Sequence, residues 1–144
     1  MTQLPHFARA HRLLAAATAL VLAGTLLAGC ALLDRHSQLT IAMLMNDEGY
    51  TTDVTTNPVD ITETVCTEEL DCVEAYSTDE ANYYRFGSRE AAADYVASID
   101  DGFAVHYIAM DFTGKDSASP AAQRSAMERL AGTWQDYDGT FPDR

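Results

Sequence analysis

The residues of this chain able to do chemistry are few: the cysteines Cys30, Cys66 and Cys72, the histidines His36 and His106 downstream of an apolar N-terminal run, and 22 acidic side chains. Cys66 and Cys72 bracket Thr67-Glu68-Glu69-Leu70-Asp71. Acidic neighbours raise a thiol pKa and the spacing is not Cys-x-x-Cys, so a redox pair is the lesser reading. In an oxidising compartment the pair is expected to close a disulfide between Cys66 and Cys72. The two histidines are not at metal-ligand spacing, and no metal or other cofactor is expected. His106 alternates with Val105 and Tyr107 and reads as a hydrogen-bonded strand residue before it reads as a site residue. Asp136-Tyr137-Asp138-Gly139 echoes the third, fifth and sixth positions of an EF-hand loop. In that register the first position is Trp134 and the last falls past Arg144, so the loop stays incomplete and a frayed acidic tail is the simpler expectation. No Gly-x-Ser-x-Gly elbow and no glycine-rich phosphate loop is present. A Ser-His-Asp set or a pair of acids for glycoside cleavage would be a spatial arrangement, and nothing in the sequence favours either. Tyr76, Tyr83, Tyr84, Phe86, Tyr95, Tyr107 and Trp134 could build a carbohydrate-stacking surface, but aromatics at strand alternation read first as packing. Adjacent Tyr83 and Tyr84 point to opposite faces of a strand, so one of them is expected to be exposed.

The elements that must position these groups begin with the N-terminal segment. Arg9 and Arg12 precede an uncharged Leu/Ala-rich run from Leu13, closed by Leu27-Ala28-Gly29-Cys30, which together make the three parts of a secretory signal. Leu27-Ala28-Gly29-Cys30 resembles the lipobox of bacterial lipoprotein precursors, in which a signal peptidase cuts before the cysteine and the cysteine receives a lipid. The resemblance implies that Cys30 is the lipid-attachment site and first residue of the mature chain. Its diacylglyceryl group would supply the second acyl chain that stable anchoring needs. The competing reading is an uncleaved span, because no charge occurs from Leu13 to Leu33 and about 20 apolar residues cross a bilayer. Both readings place the rest of the protein at the extracytoplasmic face of the cell membrane.

Residues 1–29 then form a signal peptide, 30–38 a tether and 39–144 a single domain, of a size able to bury a core. The signal takes two arginines and no acids, so seven of the nine Lys/Arg remain against 22 Asp/Glu, about −15 formally. Such a balance argues against nucleic acid and against adhesion to anionic lipid by charge alone, both of which need basic patches.

Leu39 to Met45 is a short apolar run, a strand or a short helix. Asn46-Asp47-Glu48-Gly49 is a turn signal, and Thr51 to Thr64, with Asn57-Pro58 inside it, reads as extended chain and loop. Cys72–Ser77 and Ala81–Phe86 flank Thr78-Asp79-Glu80 as a hairpin. Ser88 caps a helix over Arg89–Asp100, with Ala92, Tyr95, Val96 and Ile99 on one stripe. Phe103 to Phe112 reads as one strand, apolar on both faces and therefore central. Ser119-Pro120 opens a last helix running to Gln135, with Ala126, Met127, Leu130 and Trp134 on one side. The fold class expected is α+β, an antiparallel or mixed sheet carrying two helices.

The region from Cys66 to Trp134 is similar to the folded part of small actinobacterial envelope lipoproteins of unknown function, through Cys30, the cysteine pair and the Ser88-x-Glu90-Ala91-Ala92-x-x-Tyr95-Val96 helix. That likeness implies an envelope protein and transfers no catalytic residue. The expected role is a noncatalytic accessory or interaction module that meets another envelope protein. A small-ligand or divalent-cation scavenger is the alternative, and an enzyme comes third.

Overall fold

The computed structural model describes residues 34–46, 55–133 and 137–144. The segment expected to be a signal peptide, Cys30, Asp47–Gly49 and Trp134–Asp136 lie outside the described residues. Residues 36–144 form one compact unit, and its described residues build a five-stranded antiparallel sheet with helices packed on it. The strands are β1 (Val59–Asp60), β2 (Cys72–Ser77), β3 (Asn82–Phe86), β4 (Gly102–Val105) and β5 (Ile108–Asp111), in the order β1-β2-β3-β5-β4. The helices are α1 (Ile41–Met45), α2 (Thr62–Val65), α3 (Arg89–Ser98) and α4 (Pro120–Gly132), preceded by a 3-10 turn at Arg35–Gln38. Among the described residues no helix is long and apolar enough to cross a membrane.

Both sheet faces are covered, and alternation assigns side chains to them. On one face Tyr83, Val105, Ile108 and Met110 pack with Ile41 and Leu44 of α1 and with Ala126, Met127 and Leu130 of α4. On the other, Cys72, Ala75, Tyr84, Phe86 and Ala109 pack with Ala92 of α3, and Val65 of α2 and Tyr95 lie against them. Among the described residues, four helices share the cover expected of two. The two-sided cover also corrects the expectation for the tyrosine pair: Tyr83 and Tyr84 do point to opposite faces, yet they are 0% and 8% exposed.

The helix starts follow local chemistry. Ser88 and Ser119 each accept a hydrogen bond from the backbone N–H three residues on, satisfying donors that the first turn cannot. Thr40 does the same for α1, which decides Leu39–Met45 in favour of a short helix. Thr51–Thr64 is not wholly loop, since it carries β1 and α2. Asn57, expected to be extended before proline, instead has φ +52°. Asparagine tolerates that region, and its side-chain amide is held by the Asp79 carboxylate at 2.7 Å.

The largest departure concerns Phe103–Phe112. It is two strands, not one: β4 and β5 form a hairpin turned through His106-Tyr107, with His106 at φ +53°. β5 is central as expected, but β4 lies at the edge. Phe103 and Val105 share a face with Ile108 and Met110, so the odd-even alternation slips at His106-Tyr107. A continuous strand would keep one parity throughout.

Cys66 and Cys72 are bonded, with Cα atoms 4.8 Å apart. The bridge ties the end of α2 to the start of β2. Replacing both by alanine is expected to lower stability by about 2 kcal/mol in the chain-entropy estimate for so short a loop. Urea unfolding of oxidised and double-alanine protein measures it, and equal midpoints would show the bridge to be thermodynamically idle.

Candidate functional site

Three clusters of engaged polar side chains stand out among the described residues. The first lies where residue 36 enters the sheet. One extra residue in β2 makes a bulge there: Cys72 faces Phe86, while Glu74 faces Arg85. In a regular strand Cys72 and Glu74 would share a face; the extra residue, Val73, turns Glu74 to the opposite side. Glu74 then accepts from the backbone N–H groups of Ile41 (2.7 Å) and Ala42 (2.8 Å) at the start of α1. Its neighbour Arg85 donates to the Ser37 carbonyl at 2.6 Å, and Arg129 of α4 donates to the Leu44 carbonyl at 3.0 Å. Three side chains from three elements thus clamp the backbone of His36–Asn46 across the sheet. Residues expected to be tether are part of this strap.

Beside the clamp, His36 stacks on His106, ring centroids 4.0 Å apart and planes 17° from parallel. Arg89, at the start of α3, approaches His36 Nδ1 at 2.9 Å and lies over the Tyr107 ring at 5.7 Å. A guanidinium only donates, so in this contact Nδ1 is the accepting atom. Imidazole lone pairs lie in the ring plane, and stacked rings do not aim them at a common ion. Among the described residues no group of three or more His, Cys, Asp or Glu side chains could hold a metal. Sequence reading left His36 and His106 apart because one precedes the domain and the other was placed inside a strand; the parity slip at His106-Tyr107 was the available signal for the turn.

The second cluster is a polar knot at the β2–β3 turn. Glu80, 3% exposed, accepts from the Thr56 backbone N–H at 3.0 Å and from the Thr56 hydroxyl. Lys115 donates to Ser77 Oγ (2.8 Å) and the Thr78 carbonyl (2.7 Å), and Gln123 donates to the carbonyls of Glu80 and Lys115. Each group holds a turn or loop backbone in place, as buried polar atoms must when the chain covers them. Arg144 donates to the Gln123 side chain at 2.9 Å, pairs with Asp101, and lies 3.6 Å over the Phe112 ring. Tyr137 and Phe141 pack on Phe103 at 5.8 and 5.5 Å. The acidic tail is therefore folded back on the core from Tyr137 onward rather than frayed; Asp136 lies outside the described residues.

The third cluster is Tyr84, Tyr95 and Asp111 under α3. Tyr95 donates to Asp111 Oδ2 at 3.1 Å and meets the Tyr84 ring edge-on at 5.1 Å. Burial pushes the Tyr95 phenol far above its ordinary value, and the neighbouring Tyr84 and Asp111 add to it. Burial likewise raises Tyr84. A neutral phenol that donates to a carboxylate is a structural bridge between α3 and β5. Of the aromatics considered as a stacking surface, Tyr83, Tyr84 and Phe86 are core residues.

Compared with family models, curated proteins and solved structures, the chain matches none.

Proposed function

We propose that this chain is a lipid-anchored extracytoplasmic protein of the bacterial envelope, a noncatalytic accessory module held to the membrane through Cys30. The observation that carries the reading is Leu27-Ala28-Gly29-Cys30, placed at the end of a charge-free run and six positions before the compact unit that starts at His36. The clusters above support it. Glu74, Glu80, Lys115, Gln123 and Arg129 each bind backbone atoms of the chain itself, so their chemistry is structural. The partner is another envelope protein, met through the acidic surface, and attachment to a bilayer fixes the domain beside it.

Intact mass of membrane-extracted protein tests the anchor: a chain beginning at Cys30 with a diacylglyceryl adduct is expected, and the mass of the unprocessed chain would sink the proposal. Crosslinking in native membranes tests the role. One dominant partner, lost in Cys30→Ala, is the expected outcome. Turnover of an envelope polymer that disappears when a single acid is replaced would overturn the noncatalytic assignment.

A further inference from the structure

The sheet ends in two unlike edges. β1 is two residues long, follows Pro58 and carries Asp60, features that keep an edge from pairing further. β4, Gly102-Phe103-Ala104-Val105, has no charge, no proline and no bulge. Its hydrogen-bond phase shows which of its groups are spare. The Phe112 N–H donates to the Asp101 carbonyl at 3.0 Å, and the Phe86 N–H donates to the Tyr107 carbonyl at 2.9 Å. Asp101, Phe103 and Val105 therefore bond to β5, whose alternate residues turn to β3 instead. The backbone N–H and C=O groups of Gly102 and Ala104 point out of the sheet, and both residues are only half-buried. Among the described residues no group pairs with them.

α3 lies over β4 and β5, and the chain beyond it closes tightly on the edge: a Cβ on Gly102 would strike Ile99 at 2.7 Å. The two flanks of the helix differ. Tyr95 meets Tyr84 and Phe86 of β3 at 5.1 and 5.4 Å, so its flank looks inward along the sheet. Arg89 leans over Tyr107 in the β4–β5 turn. Ala93 and Ala97 follow Arg89 four and eight residues later, which sets the row on the flank beside β4. Both alanines are exposed. Glu90 and Asp94 lie opposite the buried Ala92 and face away from the sheet.

We propose that the β4 edge is a self-pairing surface, on which a second copy of this chain lays its own β4, antiparallel about a two-fold axis through Phe103. In that register Gly102 of each copy faces Ala104 of the other, and every outward N–H and C=O group of both edges is bonded. The helix beside the edge favours a copy of this chain over an unrelated strand, which would leave the alanine row uncovered. Strands stand about 4.8 Å apart, so two copies of α3, each over its own β4 and β5, come within about 10 Å, the spacing of packed helices. Alanine rows fit against one another at that distance. The register also separates acids: the two Asp101 side chains, each paired with Arg144 of its own chain, stand about 13 Å apart. Asp100 of each copy is carried toward the end of the other that holds Arg89, which keeps its own contact with His36. On the opposite face Asp138 and Asp143 are exposed in the tail that covers Phe103. They and the net charge oppose association, so the dimer is expected to tighten as salt rises. One strand edge and one helix flank make a small interface, which dissociates on dilution. The pairing does not depend on the anchor.

The test reads amide hydrogen exchange of the membrane-extracted protein, residue by residue in excess detergent, before and after about hundredfold dilution. Gly102 and Ala104 are expected to exchange about tenfold or more faster after dilution, while Phe103 and Val105, bonded to β5, stay protected. Sedimentation of the concentrated sample is expected to give the mass of two chains, and a larger share of it at higher salt. Ala104→Pro removes an outward N–H and no bond to β5; with an unchanged urea midpoint it is expected to abolish the dilution effect at Gly102 and to leave a monomer. Ala97→Glu puts a charge on the helix flank without touching the strand and is expected to do the same, which keeps the pairing testable where proline disturbs β4. Gly102 and Ala104 amides that exchange freely at every concentration, or that are equally protected at every concentration, overturn the proposal. Protection found only in native membranes overturns it too, and assigns the edge to a strand of another protein.

Discussion

Replacing Ile41 and Leu44 together by alanine is expected to remove most of the stability of the folded unit. Both side chains are buried, at 0% and 5% exposure, in the core formed by α1, α4 and one face of the sheet. Truncating a buried aliphatic side chain to alanine costs about 2–5 kcal/mol, against a total of about 5–15 kcal/mol for a typical domain. The loss also propagates. Once α1 leaves the sheet, the Glu74 carboxylate and the Arg85 guanidinium lose the backbone groups they bind, and hydrogen bonds to charged groups are each worth about 1.5–3 kcal/mol. Urea titration of the disulfide-intact protein, followed by near-UV circular dichroism, measures the change. A loss below about 1 kcal/mol would show that His36–Asn46 opens independently of the rest. Glu74→Gln separates the two contributions, since it keeps the apolar anchors and weakens only the clamp.

The second large effect is an alkaline limit set by Tyr83. Its ring is 0% exposed, and its hydroxyl has no hydrogen-bond partner among the described residues. Burial pushes its pKa well above the ordinary value; Glu80 adds to the shift and Arg129 opposes it. Tyrosines of the unfolded chain ionise near pH 10. Below that pH both states hold the proton and Tyr83 imposes no slope. Above it the folded protein retains a proton that the unfolded chain releases, so stability falls by about 1.4 kcal/mol per pH unit from this residue alone. Tyr84 and Tyr95 are shifted in the same direction and steepen the fall. Urea midpoints between about pH 9 and about pH 12, read beside phenolate absorbance, are expected to show ionisation and unfolding together. Independent titration of Tyr83 in the folded protein would contradict its burial. Tyr83→Phe is expected to flatten the slope and to raise stability at neutral pH by about 1 kcal/mol, because it removes a buried polar atom that lacks a partner.

Much of the fold is local and was legible residue by residue. Ser88 and Ser119-Pro120 announce their helices because the cap chemistry lies within four residues of itself. The Cys72–Phe86 hairpin is announced by two β-prone runs around a short polar turn. The bridge between Cys66 and Cys72 was expected from an even pair of cysteines in a chain read as exported. Leu27-Ala28-Gly29-Cys30 and the charge-free run before it are likewise contiguous features, which is why the expected location could be read from them without any fold.

Tertiary structure alone decided the remainder. Sequence cannot say which side of β2 Glu74 takes, because one bulged residue reverses every assignment after it. That reversal depends on Cys72 being drawn to the disulfide side and Glu74 to the N-terminus of α1 at the same time. His106 looked like a strand residue because its neighbours are apolar, and only the pairing of Val105 with Ile108 shows the turn that brings it to His36. Tyr83 and Tyr84 were both buried because helices cover both faces of the sheet, a fact set by how distant elements pack. Local chemistry thus determined where the elements begin and how the chain is expected to be anchored; long-range packing determined which side chains meet.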